Sequence, residues 1–453
     1  MILVRHKLRF SQLQVTPFWP SSHFVDQLSI CTLPVMALSI LSATLLLASL
    51  VSGQAPGNST DQHPKIETFR CTVKDGCQKK TNYLVVDSSQ HQIKTSSGVT
   101  CLTGNNPPNS TACTTPEECA TNCHIQGIAD YSTKGVFTHG TDVRLTMFNA
   151  DNQKVSPRIY LLEENKQRYE MIQLTGSEFS FDVDMVNLPC GMNSALYLSE
   201  MLPDGGKNTS SLNKLGPAWG TGYCDAQCFK TSFINGVGNF EQKGSCCNEL
   251  DIWEANSRAT HIAPHPCSQP GLYQCTGEEC EKAGVCDKSG CAWNANRVNV
   301  TNFYGRGADY KVDTTRKFTV VTQFPAQNGK LKELRRMYVQ DGKVIQNNVV
   351  NIEGPPKINF MNDEYCQATG ASDFMRLGAM EGMGGAMSRG MVLAMSLWWD
   401  DSTFMEWLDQ GNNGPCNATE GNPSVITSIV ANPEVTFSNI RFGELNSTMD
   451  MRL

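Results

Sequence analysis

Alternation of apolar and polar positions dominates the chain between about residues 140 and 445. Val143, Leu145 and Met147 alternate with polar neighbours, and so do Phe179, Phe181 and Val183. A period of two places each set on one face of a sheet. Further runs of strand length fall at 317–324, 333–345, 391–399 and 434–442, and Asp341-Gly342 marks a hairpin turn inside the second. Helical periodicity is scarce. Thr115, Pro116 and Glu118 read as an N-cap, a first helical position and a glutamate three after the cap, which predicts a short helix ending near Cys123. The best longer candidate is Asp373 to Met387, Met-rich but interrupted by Gly378, Gly382, Gly384 and Gly385. Many strands and few helices predict an all-β fold of two packed antiparallel sheets.

The first 35 residues mix Arg and Lys with Trp19 and Pro20 and show no period. From Met36 a short apolar run ends in small residues, with Val51 and Gly53 suited to the −3 and −1 positions of a cleavage site. The expectation is an N-terminal extension plus signal peptide over 1–53, with Met36 as the start. A flexible polar lead-in follows over 54–66, then one domain over 67–453. The rival reading is an uncleaved anchor with 36–51 in the membrane.

Composition sharpens the compartment. The 453 residues carry a net charge of −7 although the leader is basic, so the body is acidic, which argues against nucleic acid or an anionic membrane as partner. Nineteen cysteines are too many for a reducing cytosol, and setting Cys31 of the leader aside leaves an even number. Cys246-Cys247 and Cys286-x4-Cys291 lack the paired spacing of zinc knuckles. Sequons at Asn58, Asn109, Asn208, Asn299, Asn417 and Asn446 agree with secretion as a glycoprotein.

The chemistry concentrates between Cys246 and Cys267, CCNELDIWEANSRATHIAPHPC. Glu249 and Asp251 share a strand face. Glu254 stands at odd spacing and joins them only if a β-bulge re-aims it. Two carboxyl groups flanking a glycosidic bond can divide the work of hydrolysis, one as ionised nucleophile and one as protonated acid, at ~5–5.5 Å for the retaining reaction. Asp251 could orient Glu249 and push the neighbouring pKa values apart. The bland alternative is a strand with a solvated acidic face.

This stretch resembles the active-site strand of glycoside hydrolase family 7, the fungal-type cellobiohydrolases and endoglucanases. The resemblance extends through VDSSQ near 86, EFSFDVDMVNLPCGMNSALY at 178–197, GTGYCDAQC at 220–228, FYGRGADYKVDTTRKFTVVTQF, SRGMVLAMSLWWDD and PEVTFSNIRFGE. It implies a disulfide-rich, concanavalin-like jelly-roll sandwich with long loops, a few short helices and a cleft along one concave face. It makes 67–453 a catalytic domain, with Glu249 as nucleophile, Glu254 as acid and then base, and Asp251 as the helper. His265 is implied to hydrogen-bond sugar near the acid, and Asn193 and Tyr197 to contact sugar at the reacting centre. Tyr223, Asp225 and Gln227 would alternate on one strand face lining the cleft. Arg297 matches a leaving-site arginine. Trp398 and Trp407 match platforms on either side of the reacting bond, Trp253 and Trp293 belong in the core, and Trp399 is ambiguous. The implied disulfides are Cys71–Cys77, Cys101–Cys123, Cys113–Cys119, Cys190–Cys416, Cys224–Cys247, Cys228–Cys246, Cys267–Cys286, Cys275–Cys280 and Cys291–Cys366.

The sequence also departs from the family pattern. Gln90 and Gln92 stand where tryptophans of far substrate sites are common, and His124 replaces a cysteine. The segment between Cys228 and Cys246 is shorter than in cellobiohydrolases, and 409–423 resembles the endoglucanase form, whereas 267–291 and 340–366 are long. The balance implies an open cleft and a secreted, extracellular, monomeric β-1,4-glucanase acting within cellulose or a related β-glucan, free of membrane once mature. An exo-acting cellobiohydrolase is the alternative. A lectin-like binding protein without catalysis and an anchored surface protein are the alternatives of other classes. No metal or organic cofactor is implied.

Overall fold

The computed structural model describes residues 54–104 and 106–449. The expected extension and signal peptide over 1–53, with Met36 and Cys31, lie outside the described residues. One continuous ladder runs through the strands Thr260–His265, Glu249–Ala255, Met192–Ser199, Met391–Trp399, Arg158–Leu162, Gly76–Val86, Lys65–Thr72, Glu434–Glu444, Ser177–Asp184, Phe318–Gln323, Glu333–Gln340 and Lys343–Gln346, in that spatial order. Neighbours are antiparallel, except that Lys65–Thr72 runs parallel to Glu434–Glu444.

The ladder doubles over, so its two ends face each other as the layers of a jelly-roll sandwich. Trp253, on the Glu249–Ala255 strand, packs against Phe181 and Phe318 from the far end, at 5.9 and 6.0 Å between ring centroids. Phe181 also meets Phe437 and Phe179. These rings join Leu393, Met395, Leu397 and Ile440 in the main core. Met192–Ser199 buries all 8 of its residues. One face lies on that core and the other under the loops of the concave side, where Ala195 and Tyr197 join a second cluster.

Local signals hold where they rest on a mechanism. The Pro116–Asn122 helix starts at Thr115, whose hydroxyl accepts the Glu118 N–H at 3.2 Å. Glu118 in turn accepts the N–H of Thr114, one residue before the cap. Asp341 and Gly342 have φ of 52° and 70°, as a two-residue hairpin turn requires. Trp253 and Trp293 are buried. The nine disulfides are the nine pairs implied by resemblance.

Two expectations need correction. The 54–66 segment is not a free lead-in. The Gln54 N–H donates to the Leu212 carbonyl at 2.6 Å, and Ala55–Pro56 pairs with His124–Ile125. Asp61 accepts from the Ile128 N–H and the Tyr131 hydroxyl at 3.1 and 2.7 Å. Its polar composition hid the docking because polar groups do the docking. The Met-rich helix splits into Ser372–Arg376 and Ala379–Arg389 at Gly378, where φ is 111°, while the other three glycines stay helical. A Cβ on Gly384 would stand 2.5 Å from that of Leu331, so glycine here permits close approach rather than ending the helix.

Phe181 fills the space between Trp253 and Phe437, so Phe181→Ala should cost ~3–5 kcal/mol of stability in denaturant titration. A loss under ~1 kcal/mol would place this ring outside the supporting core.

Candidate active site

The Glu249–Ala255 strand shifts register by one residue in both of its ladders. Toward Met192–Ser199, Glu249 pairs with Ser199, Leu250 with Leu198, Trp253 with Leu196 and Glu254 with Ala195, with a shift between Leu196 and Leu198. Toward Thr260–His265, Glu249 pairs with His265, Asp251 with Ala263 and Glu254 with His261, again with a shift between Asp251 and Glu254. One extra residue is inserted at Ile252-Trp253. Both of those side chains enter the core, two in succession on one face. Glu254 thereby returns to the side of Glu249 and Asp251.

Glu249, Asp251 and Glu254 line a cleft of about 830 Å³, with Tyr197, Tyr223, Asp225, Gln227, His265, Arg297, Trp398 and Trp407. Asn193 does not fit its expectation. It is fully buried, and its amide donates to Glu254 Oε1 at 2.9 Å, so it reaches the acid rather than open space. Nor do Tyr223, Asp225 and Gln227 ride on a strand. They belong to a loop stapled by Cys224–Cys247 and Cys228–Cys246, which brings the Ala226 N–H to Glu249 Oε2 at 2.9 Å. Trp398 and Trp407 both line the cleft as neighbours, with ring centroids 6.3 Å apart, and together form an aromatic surface. Arg297 donates to the Trp407 carbonyl at 2.9 Å and to Asn413, which fixes it beside that surface. Trp399 turns away and packs on Phe148. Gln90 lines the cleft, but its amide is spent on the Ser156 carbonyl and the Arg158 N–H, at 2.8 and 3.0 Å.

Three basic residues of the cleft wall escaped the sequence reading. Arg158 lies over the Tyr223 ring at 3.6 Å and pairs with Asp87 at 3.2 Å. Lys288 donates to the Ala226 carbonyl at 2.8 Å. His261 meets Trp407 edge-on at 5.8 Å. For Arg158 and His261 a signal existed, since Arg158 alternates with Tyr160 and His261 with Ala263 and His265. Lys288 sits in a cysteine-bounded loop that offers no period.

Electrostatics follow from crowding. Burial pushes the Glu249 carboxyl well above its usual range, and the Asp251 and Asp225 charges push it further, against His265 and the Ala226 N–H. Burial and then Asp225 lift Asp251 to about 8. Burial and then Asp251 lift Glu254 to about 8, opposed by Asn193, His265 and Arg297. His265 Nδ1 meets the Asp287 carbonyl at 2.9 Å, and its Nε2 faces Asp251 Oδ2 at 3.0 Å. With Nδ1–H given to that carbonyl, a proton must lie between Nε2 and the carboxylate. A Cβ on Gly290 would stand 2.7 Å from the His265 ring, and φ there is +67°, so only glycine lets the loop close on it. Burial and crowding therefore hold protons on these carboxyl groups up to near neutral pH, while the fixed donor at Glu249 favours its ionised form, the equipment for acid–base and nucleophilic chemistry. The sulfur clusters Cys113/Cys119/Cys123 and Cys228/Cys246/Cys286 are compact enough to surround an ion, yet each sulfur is already tied up in a disulfide.

Comparison with known proteins agrees with this site. Residues 56–449 match glycosyl hydrolase family 7. Endoglucanase type C of Fusarium oxysporum is 60% identical over 416 residues, 91% of this chain and 96% of that protein. A solved structure of endoglucanase I complexed with cellobiose is 61% identical, with a TM-score of 0.85 over 87% of this chain and 100% of that one. A family 7 cellobiohydrolase from Daphnia pulex is more distant, at 36% identity and a TM-score of 0.82 over 87% of this chain and 100% of that one.

The raised Glu254 pKa has a consequence for stability. The unfolded chain releases this proton near 4.5, and the folded chain holds it until about 8. Stability conferred by that proton is complete below the lower value and lost as pH rises to the upper one, at up to ~1.4 kcal/mol per pH unit. Glu254→Gln cannot titrate and keeps the oxygen that Asn193 addresses. Its stability relative to the parent protein should therefore rise between pH 4.5 and 8 in paired thermal melts. A pH-independent difference would contradict the shift.

Proposed function

The chain belongs to glycosyl hydrolase family 7, and from that premise we propose that it cuts β-1,4-glucosidic bonds inside cellulose chains with retention of configuration. Glu249 attacks the anomeric carbon and forms a glycosyl ester. Glu254 gives its proton to the departing oxygen, then takes one from the water that hydrolyses the ester. Asp251, hydrogen-bonded to His265, keeps the field between the two glutamates. Asn193 holds Glu254, and the Ala226 N–H favours the ionised form of Glu249. The Trp398–Trp407 surface offers a stacking face for glucose rings. The observation that carries the reading is the bulge, which turns three acids of mixed spacing to one face of a long cleft.

Internal cutting requires a cleft open along its length. From the short segment between Cys228 and Cys246 only Phe229 reaches the cleft wall. Its Phe233 and Phe240 pack away on the cluster around Cys101 and Cys123. From 267–291 only Lys288 and Ser289 reach the wall, and from 340–366 no residue does. The two long segments thus do not roof it. Nine disulfides suit an oxidising compartment, and we place the protein outside the cell, acting as a monomer on cellulose or a related β-glucan.

On a soluble cellulose derivative, viscosity should collapse while reducing ends have scarcely risen, and Glu249→Gln should lose ~10³-fold or more of kcat. Slow viscosity loss per bond cut would mean action from chain ends, and parent-like release from an aryl β-cellobioside by Glu249→Gln would remove the nucleophile assignment. Asp251→Asn deletes a charge that raises both glutamates. Both limbs of the kcat/KM–pH profile should therefore move to lower pH. A shift upward would reverse the assigned role.

A further inference from the structure

Ile252 is the one residue of the Glu249–Ala255 strand that has a register partner in neither flanking ladder. The bulge that turns Glu254 toward the cleft takes Ile252 out of register with both neighbouring strands, inside the core, where its carbonyl needs a donor from elsewhere. An unpaired buried carbonyl costs free energy, and a bulge with that defect would tend to slip back to regular register. Regular register would point Glu254 into the interior.

The carbonyl is not left alone. Arg336 Nη2 donates to it from the opposite layer of the sandwich. Arg336 sits on the Glu333–Gln340 strand, across from Thr322, whose hydroxyl accepts its Nε–H at 3.0 Å. The side chain is 4% exposed. Its guanidinium lies 5.8 Å from the Trp253 ring and 5.9 Å from the Tyr338 ring. No carboxylate pairs with it among the described residues. A buried cation without a counter-ion is expensive and a poor choice for filling space. Its rigid fork is suited to bridging a hydroxyl on one sheet and a carbonyl on the other.

We infer that Arg336 is a positioning residue for the acid: by bonding the bulge carbonyl it fixes the register that aims Glu254 at the leaving oxygen. The inference rests on the reading of Glu254 as general acid. Arg336 touches no substrate, and its effect travels through Ile252 and Trp253 to the next residue of the strand.

The test separates aim of the acid from general damage. An aryl β-cellobioside with a 2,4-dinitrophenolate leaving group departs without a proton, whereas one with a 4-methylphenolate group needs it. Arg336→Met should lose ~100-fold in kcat/KM on the second substrate, the scale of a misplaced catalytic group, and only ~3-fold on the first. Arg336→Lys, which keeps a donor, should recover part of the loss. If Arg336→Met does not fold, Arg336→Lys and Thr322→Val carry the test, the latter freeing one arm of the fork with a smaller loss of the same selectivity. Equal loss on both substrates, or no loss on either, overturns the inference. Glu254→Gln is the control. If it shows leaving-group selectivity and the Arg336 variants do not, the positioning role alone falls. If Glu254→Gln shows none, the acid assignment falls and takes this inference with it.

Discussion

Four carboxyl groups, each less than a tenth exposed, share one cleft, and the repulsion among them governs how their surroundings are built. Asp225, Glu249, Asp251 and Glu254 all face the same space. Burial alone makes each reluctant to ionise, and each charge that does form makes its neighbours more reluctant. Unsupported, such a group would protonate throughout or push its strands apart. Every acid here has a donor fixed by the fold instead: the Ala226 N–H for Glu249, the Phe229 N–H for Asp225, His265 for Asp251 and the Asn193 amide for Glu254. Lys288 and Arg297 add positive charge from the walls, each held by main-chain carbonyls rather than by a carboxylate. Burial and repulsion hold protons in the site while the fixed donors favour ionisation, and that opposition is what lets one glutamate attack while another donates.

Donors set to fractions of an ångström require a frame that does not slip, and the strand carrying three of the acids is tied on both sides. A flat strand could present Glu249 and Asp251 but never Glu254. The bulge supplies the missing half-turn, and it is anchored because Ile252 and Trp253 both enter the core. Trp253 alone contacts Phe181, Tyr304 and Phe318. Slippage by one residue would withdraw that ring from its packing while turning a carboxylate inward, so apolar burial and charge avoidance favour the same register.

What could be read from the sequence was whatever a local rule determines. The cap at Thr115, the turn at Asp341-Gly342 and the alternation around Phe179 and Phe181 each depend on residues within a few positions. The need for a bulge was legible too, because spacing of two and three along one strand cannot share a face otherwise. Beyond that, resemblance supplied the disulfide pairs and the cleft residues, and the structure changed how some of them act. Asn193 turns to the acid because the alternation that points it at the cleft also brings it beside Glu254, its diagonal neighbour across the ladder. Docking of 54–61 stayed hidden because its partners are polar groups from distant positions, as at Leu212 and Tyr131. Lys288 and Arg336 were illegible for the same reason, since each acts on a carbonyl tens of residues away, Ala226 for one and Ile252 for the other.

The disulfides are placed where apolar burial runs out. The main core, built from dozens of side chains, includes just two cysteines among the described residues, Cys291 and Cys366. By contrast, the cluster beneath the cleft rim consists of Ala226 and the cysteines 228, 246, 267, 275 and 286, with Tyr273 and Val285 at its edge. A wall that must hydrogen-bond a sugar chain cannot also be greasy enough to hold itself down. Cross-linking resolves that conflict, because it lowers the entropy of the unfolded chain without spending any surface the ligand needs. A loop such as that closed by Cys228–Cys246, with a separation of 18 residues, gains about 3 kcal/mol by the chain-entropy estimate. The same bridge keeps Ala226 at Glu249, so the polar rim and the aim of the nucleophile depend on one covalent device. This is why the loop that looks least like a structural element in the sequence is among the most firmly held parts of the site.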